Sequence, residues 1–341
     1  MEKQITLQTA LVTAVHKERW TLFCEEREIF ARLKAGVYYP SQGETPAWPT
    51  VGDRVCIEPN PAGDAMIVDT LPRKSYFERK AADFGRGRQA VAANFDYVFI
   101  LQALGRDFNL RRLERYLAQA AASGAQPVVV LTKADLAADT PEKLALAHSV
   151  AGDVPVYAVS AHTGYGLQQL APYLAPDKML VFLGSSGVGK SSLVNALAQK
   201  ELMPTGAVRA DDERGRHTTT HRQLLVLPGG ACIIDTPGMR ELGMWESAEG
   251  VESTFADVQR YLGRCRFADC RHGSEPGCAV RAAIESGELD AARWHSWQIL
   301  QREALWSEDR SAAMRQKRDR NRAIANKKRQ LEQEDPRRKK R

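Results

Sequence analysis

The sequence contains no apolar run approaching the ~18 uninterrupted residues that a membrane helix requires, so no span is expected. Its opening stretch, MEKQITLQTALVTAV, interrupts its apolar residues with an early acid and polar ones. It therefore lacks the compact apolar core of a secretory signal, and a cytoplasmic location with no membrane partner is the expectation. Cysteine is sparse, six in 341 residues, and a cytoplasmic chain of this length neither needs disulfides nor keeps them oxidised. Excess positive charge is missing from most of the chain. The net +6 resides in residues 311–341, where thirteen Lys or Arg face four Asp or Glu, leaving −3 on the first 310 residues. Such a basic tail fits a polyanion contact through phosphate neutralisation, or a solvated terminus that aids solubility.

What is present divides the chain into modules. Its length allows two or three domains, each with its own core. Residues 1–75 alternate short apolar segments (TALVTAV, WTLFCEE, IFARL, DRVCIEP, AMIVDTL) with Pro, Gly, Asn and Asp turns. That is the pattern of a small β-barrel; an oligonucleotide-binding (OB) fold leads, with an SH3-like barrel as the alternative. Residues 76–93 are basic and glycine-punctuated and suit a linker or an RNA-contacting strand end. Residues 94–250 alternate apolar strands (DYVFILQAL, PVVVLTKAD, VPVYAVS, KMLVFLG) with helical stretches, including ones around 142–150 and 167–174, and predict a parallel α/β sheet.

The strand KMLVFLG leads into GSSGVGKS, residues 184–191, and then into the helical SLVNALAQ. Glycines there let backbone amides converge on phosphates at a helix N-terminus. Gly184, Ser185, Ser186, Gly187, Val188, Gly189 and Ser192 surround Lys190, which reaches terminal phosphates, and Ser191, a magnesium ligand. A phosphate loop does not choose the base. Thr132, Lys133 and Asp135 in LTKAD resemble the guanine-reading NKxD motif, and Ser160 and Ala161 in VSAHTG resemble the second guanine contact. A site built on paired hydrogen bonds rejects a base lacking them by orders of magnitude. Thr132 replaces the usual asparagine, leaving open which contact or loop-bracing bond it forfeits. After the phosphate loop come GRHTTTHRQL, where Thr219 resembles the magnesium-binding switch threonine, and DTPG. DTPG resembles the second switch, which implies that Asp235 holds magnesium through water and that the Gly238 amide senses the γ-phosphate. Met239 stands where many GTPases place a water-orienting glutamine, so intrinsic hydrolysis is expected to be slow. His217, with His221 second, is the candidate for positioning the water. Base-reading motifs thus precede the phosphate loop and the switches follow it: the order of a circularly permuted GTPase that binds GTP and magnesium.

Cys24, Cys56 and Cys232 stand alone in strand-like stretches as small core residues. Cys265, Cys270, His272 and Cys278 instead form C-x4-C-x-H-x5-C, the ligand set of a closed structural zinc site, within a zinc-binding helical module at 251–310. Downstream, WHSWQILQREALW puts Trp294, Trp297, Gln298, Gln301 and Leu305 near one helical face, as packing for that module.

A barrel, a permuted GTPase with GSSGVGKS, RHTTT and DTPGMRE, and the cysteine–histidine site, in that order, resemble the bacterial ribosome small-subunit-dependent GTPase A family over residues 1 to roughly 300. The resemblance implies an OB fold, a C-terminal zinc domain, and a GTPase that acts on the small ribosomal subunit late in maturation and is stimulated by it. The partners expected are that subunit and its rRNA, with the chain itself monomeric. A scaffold using GTP only as a sensing ligand, or a translation factor on mature ribosomes, are the competing functions.

Overall fold

The computed structural model describes residues 6–39, 46–80, 88–204, 222–235 and 248–305. Two compact units divide the chain, one of residues 1–81 and 88–244, the other of residues 82–87 and 245–341.

The first unit begins with five strands: β1 (Gln8–Val15), β2 (Trp20–Cys24), β3 (Arg27–Leu33), β4 (Arg54–Glu58) and β5 (Ala65–Thr70). A single helical turn, α1 (Ala35–Tyr38), follows β3. The strands pair in the order β1-β2-β3-β5-β4, and β4 returns to β1, closing a barrel. Its β3–β5 pair is parallel while the others are antiparallel. That Greek-key closure is of the OB type and decides against the SH3-like alternative. Alternation does the packing: Val12, Leu22, Ala31, Val55, Ile57 and Ile67 are buried, while Phe23 and Phe30 point out.

The α/β part places β8 (Tyr97–Ala103), β9 (Gln126–Thr132), β10 (Val156–Ala158) and β11 (Met179–Leu183) in one parallel sheet, ordered β10-β9-β8-β11. These are near-continuous apolar runs, as strands covered on both faces require. Helix α2 (Leu110–Ala122) starts where the Asn109 side chain accepts from the Arg112 amide at 3.0 Å, and α3 (Thr140–Ala151) opens on Pro141. Helix α4 (Lys190–Ala198) follows β11. Strands β12 (Arg222–Val226) and β13 (Cys232–Asp235) complete the sheet; β13 lies parallel to β11, and β12 pairs antiparallel with both β13 and β1. Barrel and α/β layers therefore share one eleven-stranded sheet.

Two expectations are corrected. The stretch at 76–93 is not simply a linker: β6 (Tyr76–Lys80) and β7 (Arg88–Ala93) pair as an antiparallel hairpin. Phe77, Val91 and Ala92 join the α/β core, and Phe77 stacks on Phe95 at 4.9 Å. Both glycines that suggested a linker, Gly85 and Gly87, fall at 81–87, outside the described residues. The helix anticipated around 167–174 is a 3-10 run, Leu167–Tyr173; Pro172 within it cannot donate an α-helical hydrogen bond. Of the three isolated cysteines, Cys24 is buried and Cys56 and Cys232 are partly so, all with free thiols.

In the second unit, α5 (Ala248–Thr254), α6 (Ala256–Gln259), α7 (Ala279–Ser286) and helical residues 291–305 bury Val251, Phe255, Val258, Val280, Leu300 and Ala304. Arg293 pairs with Asp257 at 3.0 Å and lies 4.1 Å over the Phe255 ring. Among the described residues no helix is long and apolar enough to cross a membrane.

Candidate nucleotide site and metal centre

The C-terminal ends of β8, β9 and β11 meet at one edge of the sheet, where open α/β sheets bind ligands. Residues 184–189 curl from β11 into the N-terminus of α4, with Gly187 at φ +74° and Gly189 at φ +100°, conformations that favour glycine. A Cβ on Gly184 would sit 2.8 Å from the Leu101 carbonyl oxygen, so the loop can lie this close to β8 only with glycine there. The end of β9 braces the loop from behind. The Thr132 hydroxyl donates to the Val188 carbonyl at 2.5 Å, and Lys133 Nζ donates to the Gly187 carbonyl at 2.7 Å. The threonine thus makes the loop-bracing bond that the sequence left open.

Asp135 is exposed, and a hydrogen bond with Ser160 holds its carboxyl below the ordinary carboxylate range, with nearby His162 and Lys133 acting in the same direction. Ser160 is itself fully buried, and its hydroxyl accepts from the His162 and Thr163 amides at 3.2 and 3.1 Å. The Ser160 side chain therefore fixes the turn that follows β10. The turn also depends on Gly166, where a Cβ would lie 2.2 Å from the Ala158 carbonyl oxygen. Thr132, Lys133, Asp135, Ala161, Gly189 and Ser192 all line one cavity of about 340 Å³, which joins the base-reading motifs to the phosphate loop.

Lys190 and Ser191 open α4, and Lys190 Nζ lies 2.8 Å from Asp235 Oδ1 at the end of β13. The aspartate of DTPG is therefore brought to the phosphate loop from 45 residues away. Asp235 and Ser191, the residue that follows its partner Lys190, offer a carboxylate and a hydroxyl, the kinds of oxygen donor that magnesium takes. His217, Thr219 and Gly238, with His221 and Met239, lie outside the described residues.

In the second unit, one donor atom from each of Cys265, Cys270, His272 and Cys278 falls within a 4.8 Å cluster. Cys265 and Cys278 sulfurs are 4.0 Å apart, and His272 Nδ1 is 3.4 and 3.5 Å from them. A tetrahedral zinc with ordinary bond lengths needs about 3.8 Å between sulfurs and about 3.5 Å between sulfur and nitrogen, so the donors fit. The Ala279 amide points at Cys265 Sγ at 3.4 Å. Glu275 takes hydrogen bonds from the Arg271 and Gly273 amides, setting the loop that presents His272, whose ring meets Trp294 edge-on at 5.4 Å. Trp297 stacks on Trp294 at 4.9 Å, as packing for this module.

A family model described as RsgA GTPase matches residues 70–245. The chain is also 45% identical to small ribosomal subunit biogenesis GTPase RsgA 1 of Listeria monocytogenes, over 91% of this chain and 88% of that one. The chain belongs to the RsgA GTPase family. A second RsgA relative, from Opitutus terrae, is 45% identical over 87% of this chain and 84% of its own. Among solved structures, YjeQ from Thermotoga maritima aligns with TM-score 0.65 at 27% identity, covering 88% of this chain and 99% of that one. YloQ, described as a circularly permuted GTPase, aligns with TM-score 0.61 at 24% identity over 91% and 98%. The permuted order read from the motifs is thus the order of the fold.

Two features of this RsgA chain escaped sequence reasoning. Ser185 of the phosphate loop donates to Asp107 at 2.8 Å, and Asp107 is held by Arg112 at 3.0 Å. No motif marks Asp107, which sits in the turn after β8. Leu136 and His162 also line the cavity beside Asp135. Their only signal was adjacency to Asp135 and Ala161.

Proposed function

We propose that this chain is a GTP-hydrolysing assembly factor of the small ribosomal subunit, bound to that subunit and its rRNA with GTP and released after hydrolysis. The observation that carries it is the 45% identity, over 91% of the chain, to a protein named for small ribosomal subunit biogenesis. The base cavity lies against a phosphate loop on the same sheet edge, as such an enzyme requires.

In this reading Asp135 accepts from guanine N1 and the exocyclic amine, and the Ala161 amide meets the guanine carbonyl. Backbone amides of 184–189 hold the phosphates, with Lys190 neutralising their charge. Water attacks the γ-phosphorus, the bond to the β–γ bridging oxygen breaks, and GDP and inorganic phosphate leave. Ser191, Thr219 and Asp235 would hold magnesium, which supplies charge neutralisation at the β- and γ-phosphate oxygens. The Lys190–Asp235 ion pair must then open, freeing the ammonium for phosphate and the carboxylate for the cation's shell. His217 positions the water, and the Gly238 amide senses the γ-phosphate. Cys265, Cys270, His272 and Cys278 hold a structural zinc. With the barrel and the basic tail at 311–341, that module provides RNA contacts around a monomeric cytoplasmic enzyme.

GTP turnover measured with and without purified small subunits tests the proposal. Stimulation of about tenfold or more is expected, because a residue or partner that completes a GTPase site raises turnover strongly. Equal rates would overturn it.

A further inference from the structure

A purine site needs two kinds of contact: hydrogen bonds to the edge, which choose the base, and contacts to the flat faces, which add affinity whatever the base. The edge is served by Asp135. For the faces, the cavity offers Val159, Leu193, Leu136 and the imidazole of His162. Val159 and Leu193 have no exposed surface and belong to the core beneath. Leu136 and His162 are different. Leu136, on the 3-10 turn Ala134–Leu136, is 75% exposed although it lines a cavity, and His162 is exposed as well. An aliphatic and an aromatic side chain left in water beside a hollow of this size are what a planar aromatic ligand would cover.

The placement of His162 is not accidental to the turn. Its amide donates to the buried Ser160 hydroxyl at 3.2 Å, so the turn that carries the imidazole is anchored at the end of β10, and His162 and Asp135 line the same cavity. Lys133, also lining the cavity, has its ammonium committed to the Gly187 carbonyl, which leaves its methylene stem as the part available there.

We propose that His162 is a base-contacting residue: its imidazole lies on a face of the purine of the bound nucleotide and strengthens binding without choosing between purines. This rests on the reading of the cavity as the guanine site, and the test separates the two. Calorimetric titration of the full chain with GTP and ITP would compare wild type, His162→Ala and His162→Phe. ITP lacks the exocyclic amine but keeps the ring faces. His162→Ala is expected to weaken both nucleotides by the same factor, about tenfold, near the low end of what base–aromatic stacking contributes. His162→Phe should restore both to within about threefold of wild type. Wild-type affinity in His162→Ala, a loss for GTP but not ITP, or no rescue by phenylalanine would overturn the proposal. Asp135→Asn serves as the control. A shift of preference toward xanthosine triphosphate keeps the cavity as the base site, so that a failure at His162 is then its own. Retained GTP preference would remove the cavity as the base site and the proposal with it.

Discussion

Thr132→Val removes one hydroxyl proton and almost no volume, which makes it the sharpest probe of how the end of β9 and the phosphate loop are joined. Thr132 is 4% exposed, and its hydroxyl has a near acceptor, the Val188 carbonyl at 2.5 Å, and a far one, Gln102 at 3.4 Å. One proton cannot serve both fully, so the Val188 bond carries the effect. A neutral hydrogen bond contributes about 1 kcal/mol net, rising to about 3 kcal/mol where a buried partner is left unsatisfied. Urea unfolding of Thr132→Val should therefore show a loss of roughly 1–3 kcal/mol. GTP affinity should fall by a smaller factor, up to about fivefold, because only the part of the loss that loosens the loop reaches the ligand. Thr132→Ser keeps the proton and should stay close to wild type. Lys133 holds the neighbouring carbonyl, so Thr132→Val and Lys133→Met should couple by about 0.5 kcal/mol or more in a double-mutant cycle. Wild-type stability and affinity in Thr132→Val, or strict additivity with Lys133→Met, would refute the shared brace.

Two further outcomes follow from close contacts elsewhere. A Cβ on Gly52, at φ +90°, would lie 2.0 Å from the Ala93 carbonyl oxygen, so Gly52→Ala should cost about 3 kcal/mol or more and lower the melting temperature; an unchanged melt would show that the junction between barrel and hairpin has room to yield. Removing metal with a chelator should unfold the cysteine–histidine loop and change tryptophan emission, since Trp294 packs on His272, and Cys270→Ala should give the same spectrum without chelator; emission that ignores both would sink the structural zinc.

The fold was legible where local chemistry and tertiary packing agree. The apolar runs of β8, β9 and β11 had to be buried parallel strands, and GSSGVGKS had to be a turn into a helix, because both follow from residues adjacent in sequence. The barrel type was not legible. Alternation shows that a strand is half-buried but not which strand it pairs with, and only the parallel β3–β5 pair separates the two candidates. The hairpin at 76–93 was obscured because basic residues, Arg79, Lys80 and Arg88, stand in its paired strands and two glycines stand between them, a composition that reads as a linker in a short window. At the site, motif residues were found and their supports were not. Asp107 bonds Ser185 from 78 positions away, a distance over which no spacing rule operates.

The permuted order has a consequence that the motifs alone do not contain. Beginning at Arg222, directly after the stretch that resembles the first switch, β12 is gripped on both sides. One neighbour is β13, which ends at Asp235; the other is β1 of the barrel, with Ala14 opposite Gln223 and Val15 opposite Arg222. Backbone pairing in a sheet tolerates little slippage where one face is buried, because a shift of one residue turns every side chain to the wrong side. A displacement of β12 therefore cannot be absorbed locally. It must either break the ladder to β1 or carry the barrel with it, so the strand that follows the stretch resembling the first switch is also the strand that ties the barrel to the sheet.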